Sequence, residues 1–141
     1  MAIPTVDVNF LAVIISALVA FIIGGLWYSP ILFGNAWMKS SGMIEKDIKK
    51  QKSKGMGKMY FIGFLMALVT AYILSHFVQY VGVSTFYDAL ELACWIWLGF
   101  IAPISLGVVL WEGKSFKFYL INVAYNLVSL ALMAEILTFW R

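Results

Sequence analysis

Four long stretches without a charged residue constrain the fold of this 141-residue chain more than any other feature. A helix needs about 20 apolar residues to cross the roughly 30 Å hydrocarbon layer of a membrane. Hydrophobic residues make up 63% of the chain and charged residues 12%, which leaves too little polar surface to cover a soluble core. We therefore predict an all-α integral membrane protein with four transmembrane helices. The charge-free stretches are residues 8–38, 59–87, 92–111 and 118–134.

The four spans are predicted to form a single domain over residues 1–141. The first span is not expected to be a cleaved signal, because no basic residue precedes it and its apolar run exceeds the about 7 to 15 residues of a signal core. We place the spans at about residues 8–28, 59–81, 90–111 and 117–139, with a basic loop at residues 39–58.

The lysines predict the orientation of the spans. Seven lysines lie between the first and second spans and two between the third and fourth, whereas the loop after the second span has none. Basic loops remain in the cytoplasm, so both termini are predicted to face outward, in the cytoplasmic membrane of a prokaryote. The net charge is +3. The topology and the binding of basic residues to the headgroups of the lipid bilayer account for this charge, so no nucleic-acid partner is expected.

A proline marks the end of the first span. Pro30 lacks a backbone N–H and disfavours helix in the residue before it, so the span is predicted to stop there. The amphipathic segment that follows predicts a short helix lying in the inner interface. Aromatic residues near the span ends are predicted to anchor the protein at headgroup level. They are Trp27, Tyr28, Trp37 and Trp111.

Two segments of the chain resemble each other. Residues 58–77 and 117–136 both begin with Lys-x-Tyr-x-Ile and lie 59 positions apart. A second match, Pro-Ile-x-x-Gly, begins at Pro30 and again at Pro103, 73 positions later. The pattern suggests two tandem helical hairpins related by an axis along the membrane normal. Chance similarity between leucine-rich helices is the alternative.

Small residues recur along two of the spans. Such residues let helix backbones approach closely in lipid, where no hydrophobic drive joins helices. They pack either within one chain or between copies, and because four spans bury little surface we predict a homo-oligomer. The residues are Ala12, Ser16, Ala20 and Gly24 on the first span and Gly99, Pro103 and Gly107 on the third.

The segments GGLWYSPILFGNAWMK and INVAYNLVSLALMAEIL make the chain similar to a family of small bacterial and archaeal membrane proteins, domain of unknown function 1761. The resemblance covers nearly the whole chain. It implies a four-span fold without an assigned activity, so no catalytic, metal-binding or cofactor-binding residue follows from it. Its most specific part is the pattern formed by Gly24, Trp27, Tyr28, Pro30, Phe33, Gly34 and Trp37.

Polar side chains within the spans are the best functional clues, because each is costly in hydrocarbon unless it is paired or hydrated. Asn122, Asn126 and Ser129 lie at positions i, i+4 and i+7 and form one polar stripe on the fourth span. We predict that this stripe either joins helices by hydrogen bonds or lines a hydrated pathway.

A second polar group is predicted near the outer face of the membrane. His76 and Glu135 occupy matching positions of the two similar segments, so they should lie at the same depth. Glu91 and Cys94 reach that layer from the third span. We hypothesise that His76 and Glu135 form a hydrogen-bonded pair. Separate extension of each side chain to the headgroups is the alternative.

The sequence shows no enzyme signature. A Gly-rich phosphate loop, a Gly-x-Ser-x-Gly elbow and paired His or Cys ligands are all absent, and the chain has one His and one Cys. We therefore expect no enzyme activity, no cofactor and no metal. The sequence favours a homo-oligomeric transport or permeation protein with a polar, acidic site near the outer face. An accessory subunit of a larger membrane complex is the alternative.

Overall fold

The computed structural model describes residues 2–42, 47, 49, 50 and 55–140. This part of the chain contains helices and no strand, which confirms the all-α prediction. A π-helical segment, Trp97–Ile101, lies between the fourth and fifth α-helices. The α-helices are α1 (Phe10–Trp27), α2 (Gly34–Ser40), α3 (Gly57–Val81), α4 (Phe86–Ile96), α5 (Ala102–Ser105), α6 (Gly107–Leu110) and α7 (Phe116–Phe139).

Four helical segments are long and apolar enough to cross a membrane, as the sequence predicts. They are α1, α3, the run Phe86–Leu110 that joins α4 to α6, and α7. The third span begins earlier than the predicted residue 90, because Thr85 caps it. The Thr85 hydroxyl accepts a hydrogen bond from the Asp88 N–H at 3.1 Å, and the Asp88 carboxylate accepts one from the Thr85 N–H at 3.2 Å. Much of the predicted basic loop at 39–58 lies outside the described residues.

The last helix is the centre of the bundle. α7 packs against α1, α3 and α4, and the short helix α2 also lies against it. α1 packs against α3 as well. We call the end of the bundle that carries α2 and the first turn of α7 the α2 end. The opposite end, with the first turn of α1 and the last turn of α7, is the terminal end.

The tightly packed core occupies the terminal half of the bundle. Every span contributes at least one alanine that is 0% exposed there, including Ala12, Ala71, Ala89 and Ala134. Larger side chains such as Val78 fill the remaining space. Because alanine has a single methyl group, the four backbones can approach closely at this end.

The third span departs from a regular α-helix around its proline. Pro103 offers no N–H, and the Ala102 N–H donates to the Trp97 carbonyl, one residue further back than in an α-helix. The α-helix resumes in α5 at Ala102 and, after Leu106, continues in α6 from Gly107. An aromatic-rich π-helical segment therefore interrupts the regular helix directly before the proline.

Helix starts follow the internal similarity of the sequence. α2 begins at Gly34 and α6 at Gly107, which are 73 positions apart. α3 begins at Gly57 and α7 at Phe116, which are 59 positions apart. These offsets match those of the repeated sequence patterns and agree with two tandem hairpins. The two similar hairpins differ at their prolines, since Pro30 lies in a turn and Pro103 lies within a helix.

Two polar contacts join α2 to the start of α7. Ser115 caps α7 by accepting from the Phe118 N–H at 3.2 Å, and its hydroxyl donates to the Ser40 carbonyl at 3.1 Å. The Lys114 ammonium donates to the Ser41 carbonyl at 2.6 Å. A cation at the carboxyl end of a helix also interacts favourably with the helix dipole. Lys114 therefore holds the end of α2 against the start of α7, in addition to any part it has in orienting the protein in the membrane.

Candidate functional site

The aromatic residues of the pattern between Gly24 and Trp37 form a cluster at the α2 end. The Trp27 indole donates to the Ile121 carbonyl at 3.1 Å, and the Tyr28 hydroxyl donates to the Asn122 side-chain oxygen at 2.7 Å. Both aromatic side chains are half-buried between α1 and α7. The sequence predicted that Trp27 and Tyr28 anchor the protein at headgroup level. In the structure their side chains connect the end of α1 to α7.

A tight turn after α1 brings α2 back against this cluster. The Gly34 N–H donates to the Ser29 carbonyl oxygen at 2.9 Å. A methyl group on Gly34 would lie 2.7 Å from that same oxygen, which is backbone and cannot move freely. Glycine is therefore required here for close backbone approach. The turn also stacks Phe33 on Trp27, with ring centroids 4.6 Å apart.

Gly24 makes room for a tyrosine from α7. The Tyr125 hydroxyl donates to the Ala20 carbonyl at 2.7 Å. A methyl group on Gly24 would lie 2.8 Å from that hydroxyl oxygen. Tyr125 also contacts Tyr28, with ring centroids 5.5 Å apart. The small residue of α1 thus seats a polar aromatic side chain in the middle of the membrane span.

A cleft of about 670 Å³ opens beside Tyr125. Its mouth lies between α1 and α3, where Phe21, Gly25, Tyr60 and Gly63 are all exposed. Because these residues lie within the spans, the exposed mouth faces lipid. Methyl groups on Gly25 and Gly63 would meet no atom within 4 Å, so the two glycines leave the mouth open. The cleft is lined by Phe21, Gly24, Gly25, Tyr28, Tyr60, Gly63, Ala67 and Tyr125.

A smaller chamber of about 240 Å³ adjoins the cleft inside the bundle. Gly63, Ala67 and Tyr125 line both spaces. The chamber adds polar groups that the cleft lacks. They come from Thr70, Asn126 and Ser129.

The three residues of the predicted polar stripe have different surroundings. Asn122 accepts the hydrogen bond from Tyr28 and so joins two helices. Ser129 is buried at the chamber wall. The Asn126 amide, which also lines the chamber, makes no hydrogen bond to any residue that the structure describes. Asn122 thus joins two helices, and Asn126 and Ser129 lie at the wall of the chamber.

The residues of the predicted outer polar site do not hydrogen-bond to one another in the described part of the chain. The His76 Nδ1 atom lies 2.8 Å from the Tyr72 carbonyl of its own helix, and Glu91 accepts from the Trp95 indole at 3.2 Å. Both carboxylate oxygens of Glu135 are buried without a hydrogen-bond partner in the described part of the chain. Cys94 is exposed. Within the described ranges no hydrogen bond joins any two of these four side chains, and no group of three metal-ligand residues occurs.

The small residues of the two predicted faces also differ in position. On the first span, Ala12, Ser16 and Ala20 are buried against neighbouring helices. On the third span, Gly99 and Pro103 are exposed. Their backbone is therefore open to lipid or to another copy rather than covered by a helix of this chain. Gly107, the third small residue of that span, is half-buried beside Trp111.

Two of the predicted anchors have different surroundings. Trp111 is 86% exposed. The indole nitrogen of Trp37 is buried without an acceptor in the described part of the chain.

Several residues of the cleft escaped the sequence analysis. Gly63, Ala67 and Thr70 lie three to four residues apart on α3, which is the spacing of a small-residue helix face. That spacing could have identified the face. Tyr125 follows no such pattern, and its role depends on the position of Gly24 in the neighbouring helix.

The chamber and cleft provide hydrogen-bonding groups without a charge. No Asp, Glu, Lys, Arg or His lines either space within the described residues. Such a site can bind a neutral molecule by shape and hydrogen bonds.

Comparison with known proteins gives one match. Neither the curated proteins nor the solved structures contain a match to this chain. The family described as "Protein of unknown function (DUF1761)" matches residues 11–138, which cover nearly the whole chain. The chain, a bundle with four spans, therefore belongs to the DUF1761 family.

Proposed function

We propose that the protein is a small membrane transport protein whose solute occupies the cleft and chamber between α1, α3 and α7. The observation that carries the proposal is the Asn126 amide, which lines the chamber without a hydrogen-bond partner among the described residues. A polar group in a membrane span is costly unless it is paired or hydrated. A solute or water in the chamber would supply the missing partner.

The size and walls of the cleft support this proposal. Its volume of about 670 Å³ lies in the range of roughly 300–1,000 Å³ that small-molecule sites occupy. The terminal half of the bundle is closely packed, whereas the α2 half keeps this space open through Gly25 and Gly63. The proposed site is therefore the neutral chamber rather than the acidic outer group that the sequence favoured.

Thiol reactivity tests whether the chamber is accessible. In a Cys94→Ser background, Asn126→Cys and Ser129→Cys are reconstituted in liposomes and treated with N-ethylmaleimide. Both should react, because the reagent and water can enter the chamber. Ala71→Cys, in the tightly packed core, is the matched control and should stay unmodified. If the cysteines at 126 and 129 react no faster than the one at 71, the chamber is closed and the transport proposal fails.

Orientation and assembly form part of the proposal. We place the basic loop and α2 in the cytoplasm and both termini outside, in the cytoplasmic membrane of a prokaryote, because the loop lysines lie on one side. Lys39→Cys and Ser84→Cys, both at exposed positions, should react with an impermeant thiol reagent from opposite faces of intact cells. Reaction of both from one face would contradict this topology. The exposed Gly99 favours a homo-oligomer, which cross-linking in membranes measures.

One surface favours the alternative of an accessory subunit. An apolar groove of about 390 Å³ runs between α3 and the third span, and it is lined by residues such as Ile73, Phe77 and Phe100. A transmembrane helix of a larger complex could pack there. Consistent recovery of one larger partner from mild detergent, lost with Ile73→Trp and retained with Ile14→Trp on α1, would support this alternative.

A further inference from the structure

The chemistry of the cleft and chamber specifies a class of solute, which rests on the proposed transport function. We infer that the site binds a neutral, membrane-dissolved amphiphile that carries a hydroxyl group. Its apolar part would lie in the cleft, and its hydroxyl would reach the chamber beside Asn126.

The route into the site determines the apolar part of the molecule. The mouth of the cleft lies between α1 and α3 at exposed positions within the spans, including Phe21 and Gly63. A molecule already dissolved in the bilayer can enter there without crossing a polar surface. The walls are aromatic and small aliphatic residues, which favour a hydrocarbon chain or ring.

The absence of charge in the lining excludes an ionic headgroup. The described residues around both spaces contain no cationic or anionic side chain. An ion transferred from water to this environment would lose its hydration without gaining a counter-charge, which is strongly unfavourable. A neutral polar group carries a much smaller cost.

The hydrogen-bond directions in the chamber favour a hydroxyl. The Tyr125 hydroxyl already donates to the Ala20 carbonyl at 2.7 Å, and the Thr70 hydroxyl donates to the Met66 carbonyl at 3.0 Å. Each hydroxyl has used its proton and can only accept further bonds, and the Tyr125 hydroxyl is also hydrogen-bonded to the Ser129 side chain, which leaves the Thr70 oxygen as the more open acceptor. The Asn126 amide offers both donors and an acceptor. An alcohol can donate to one of these hydroxyls and accept from the amide at the same time.

Competitive photolabelling of the full-length protein in phosphatidylcholine liposomes tests this inference. The probe is a hexadecanol that carries a diazirine and an alkyne. The competitors are unlabelled hexadecanol, its methyl ether, hexadecyl sulfate and hexadecyltrimethylammonium. Labelling should map to α1 and α3, and hexadecanol should compete. The ether lacks the donated proton and should compete about fivefold less well, which is about 1 kcal/mol at 1.4 kcal/mol per tenfold. The two ions should not compete.

Variants separate site binding from general contact with lipid. Gly63→Leu places a bulky side chain at the mouth of the cleft, where an added Cβ meets no atom within 4 Å, and should abolish the competed labelling. Gly57→Leu adds the same side chain at another exposed, open position of α3 and should retain it. Equal labelling of these two variants would overturn the inference.

The remaining outcomes distinguish this inference from the proposed function. Equal competition by the sulfate or the ammonium compound would overturn the neutral class. So would an absence of competed labelling while Asn126→Cys reacts with N-ethylmaleimide. In both cases the transport proposal stands. If Asn126→Cys is also unreactive, both proposals fail.

Discussion

The two halves of the bundle are built in different ways. The terminal half packs fully buried alanines from all four spans against one another. The α2 half contains the cleft and joins its helices by directed hydrogen bonds, such as Tyr28 to Asn122 and Tyr125 to the Ala20 carbonyl. The third span follows the same principle there, since the Trp97 indole donates to the Val123 carbonyl at 2.7 Å.

The difference shows how a small bundle can be stable and still contain a cavity. Packing of small side chains brings the backbones close together and leaves no space for a solute. Long aromatic side chains with polar ends connect backbones across a wider gap. The terminal half therefore supplies rigidity, and the α2 half can keep open space beside Tyr125.

The largest difference in stability is expected between leucine substitutions at two alanines that lie one turn apart on α3. Ala71→Leu overfills the terminal core, where residue 71 is 0% exposed, and should destabilise the fold by about 1–3 kcal/mol. Ala67→Leu points the same side chain into the cleft and chamber, so its cost should be clearly smaller. Unfolding in mixed detergent and dodecyl sulfate measures both. Equal losses would show that the two halves are packed alike.

Two adjacent glycines of α1 should also differ. Gly24→Ala places a methyl group 2.8 Å from the Tyr125 hydroxyl oxygen and should displace it from the Ala20 carbonyl. We expect a loss of about 1 kcal/mol in unfolding free energy, the size of one hydrogen bond. Gly25→Ala meets no atom within 4 Å and should change stability by less than about 0.5 kcal/mol. A tolerated Gly24→Ala would mean that Tyr125 does not hold α1 and α7 together.

A double-mutant cycle tests the directed bonds of the α2 half. Tyr28→Phe removes the hydroxyl that donates to Asn122 at 2.7 Å, and Asn122→Ala removes the acceptor. Side-chain hydrogen bonds between membrane helices couple by about 0.6 kcal/mol on average and up to about 1.7 kcal/mol. We expect a coupling in this range from thermal or detergent unfolding. Additive effects would remove this bond from the description of the α2 half.

The smallest coupling is expected at the terminal end, between His76 and Glu135. The histidine contacts the Tyr72 carbonyl, and the glutamate has no hydrogen-bond partner in the described part of the chain. His76→Ala and Glu135→Ala should therefore add, with a coupling below about 0.5 kcal/mol. A larger value from the same unfolding assay would restore the paired arrangement and place a polar site within the tightly packed half.

The sequence predicts the class and order of the helices well, because these depend on local properties. Apolar runs of spanning length predict the four spans, and Pro30 predicts the break before α2. The third span was predicted to start at about residue 90, but its helix begins at Phe86. The predicted start leaves out Asp88, whose carboxylate completes the cap formed with Thr85. A carboxylate that caps a helix and one that lies in a loop are the same residue type, so only the geometry distinguishes them.

The candidate site depended on contacts that no local pattern contains. Spacing predicts one stripe of Asn122, Asn126 and Ser129, but it does not show which of them bonds to another helix. Asn122 is paired only because Tyr28 of another helix reaches it. Similarly, the matching depth of His76 and Glu135 in the sequence does not bring their side chains together.

The amino-acid sequence by itself determined that this protein is a four-span helical membrane protein of the DUF1761 family, because hydrophobic length and the aromatic pattern around Pro30 are properties of the chain alone. Only the tertiary structure decided where the helices touch and where they leave space. Gly24 and Gly25 are neighbours of the same residue type, yet Gly24 lies against Tyr125 and Gly25 lies at an open mouth. The physical reason is that a cavity depends on the distance between helices, and that distance is set jointly by side chains from α1, α3 and α7.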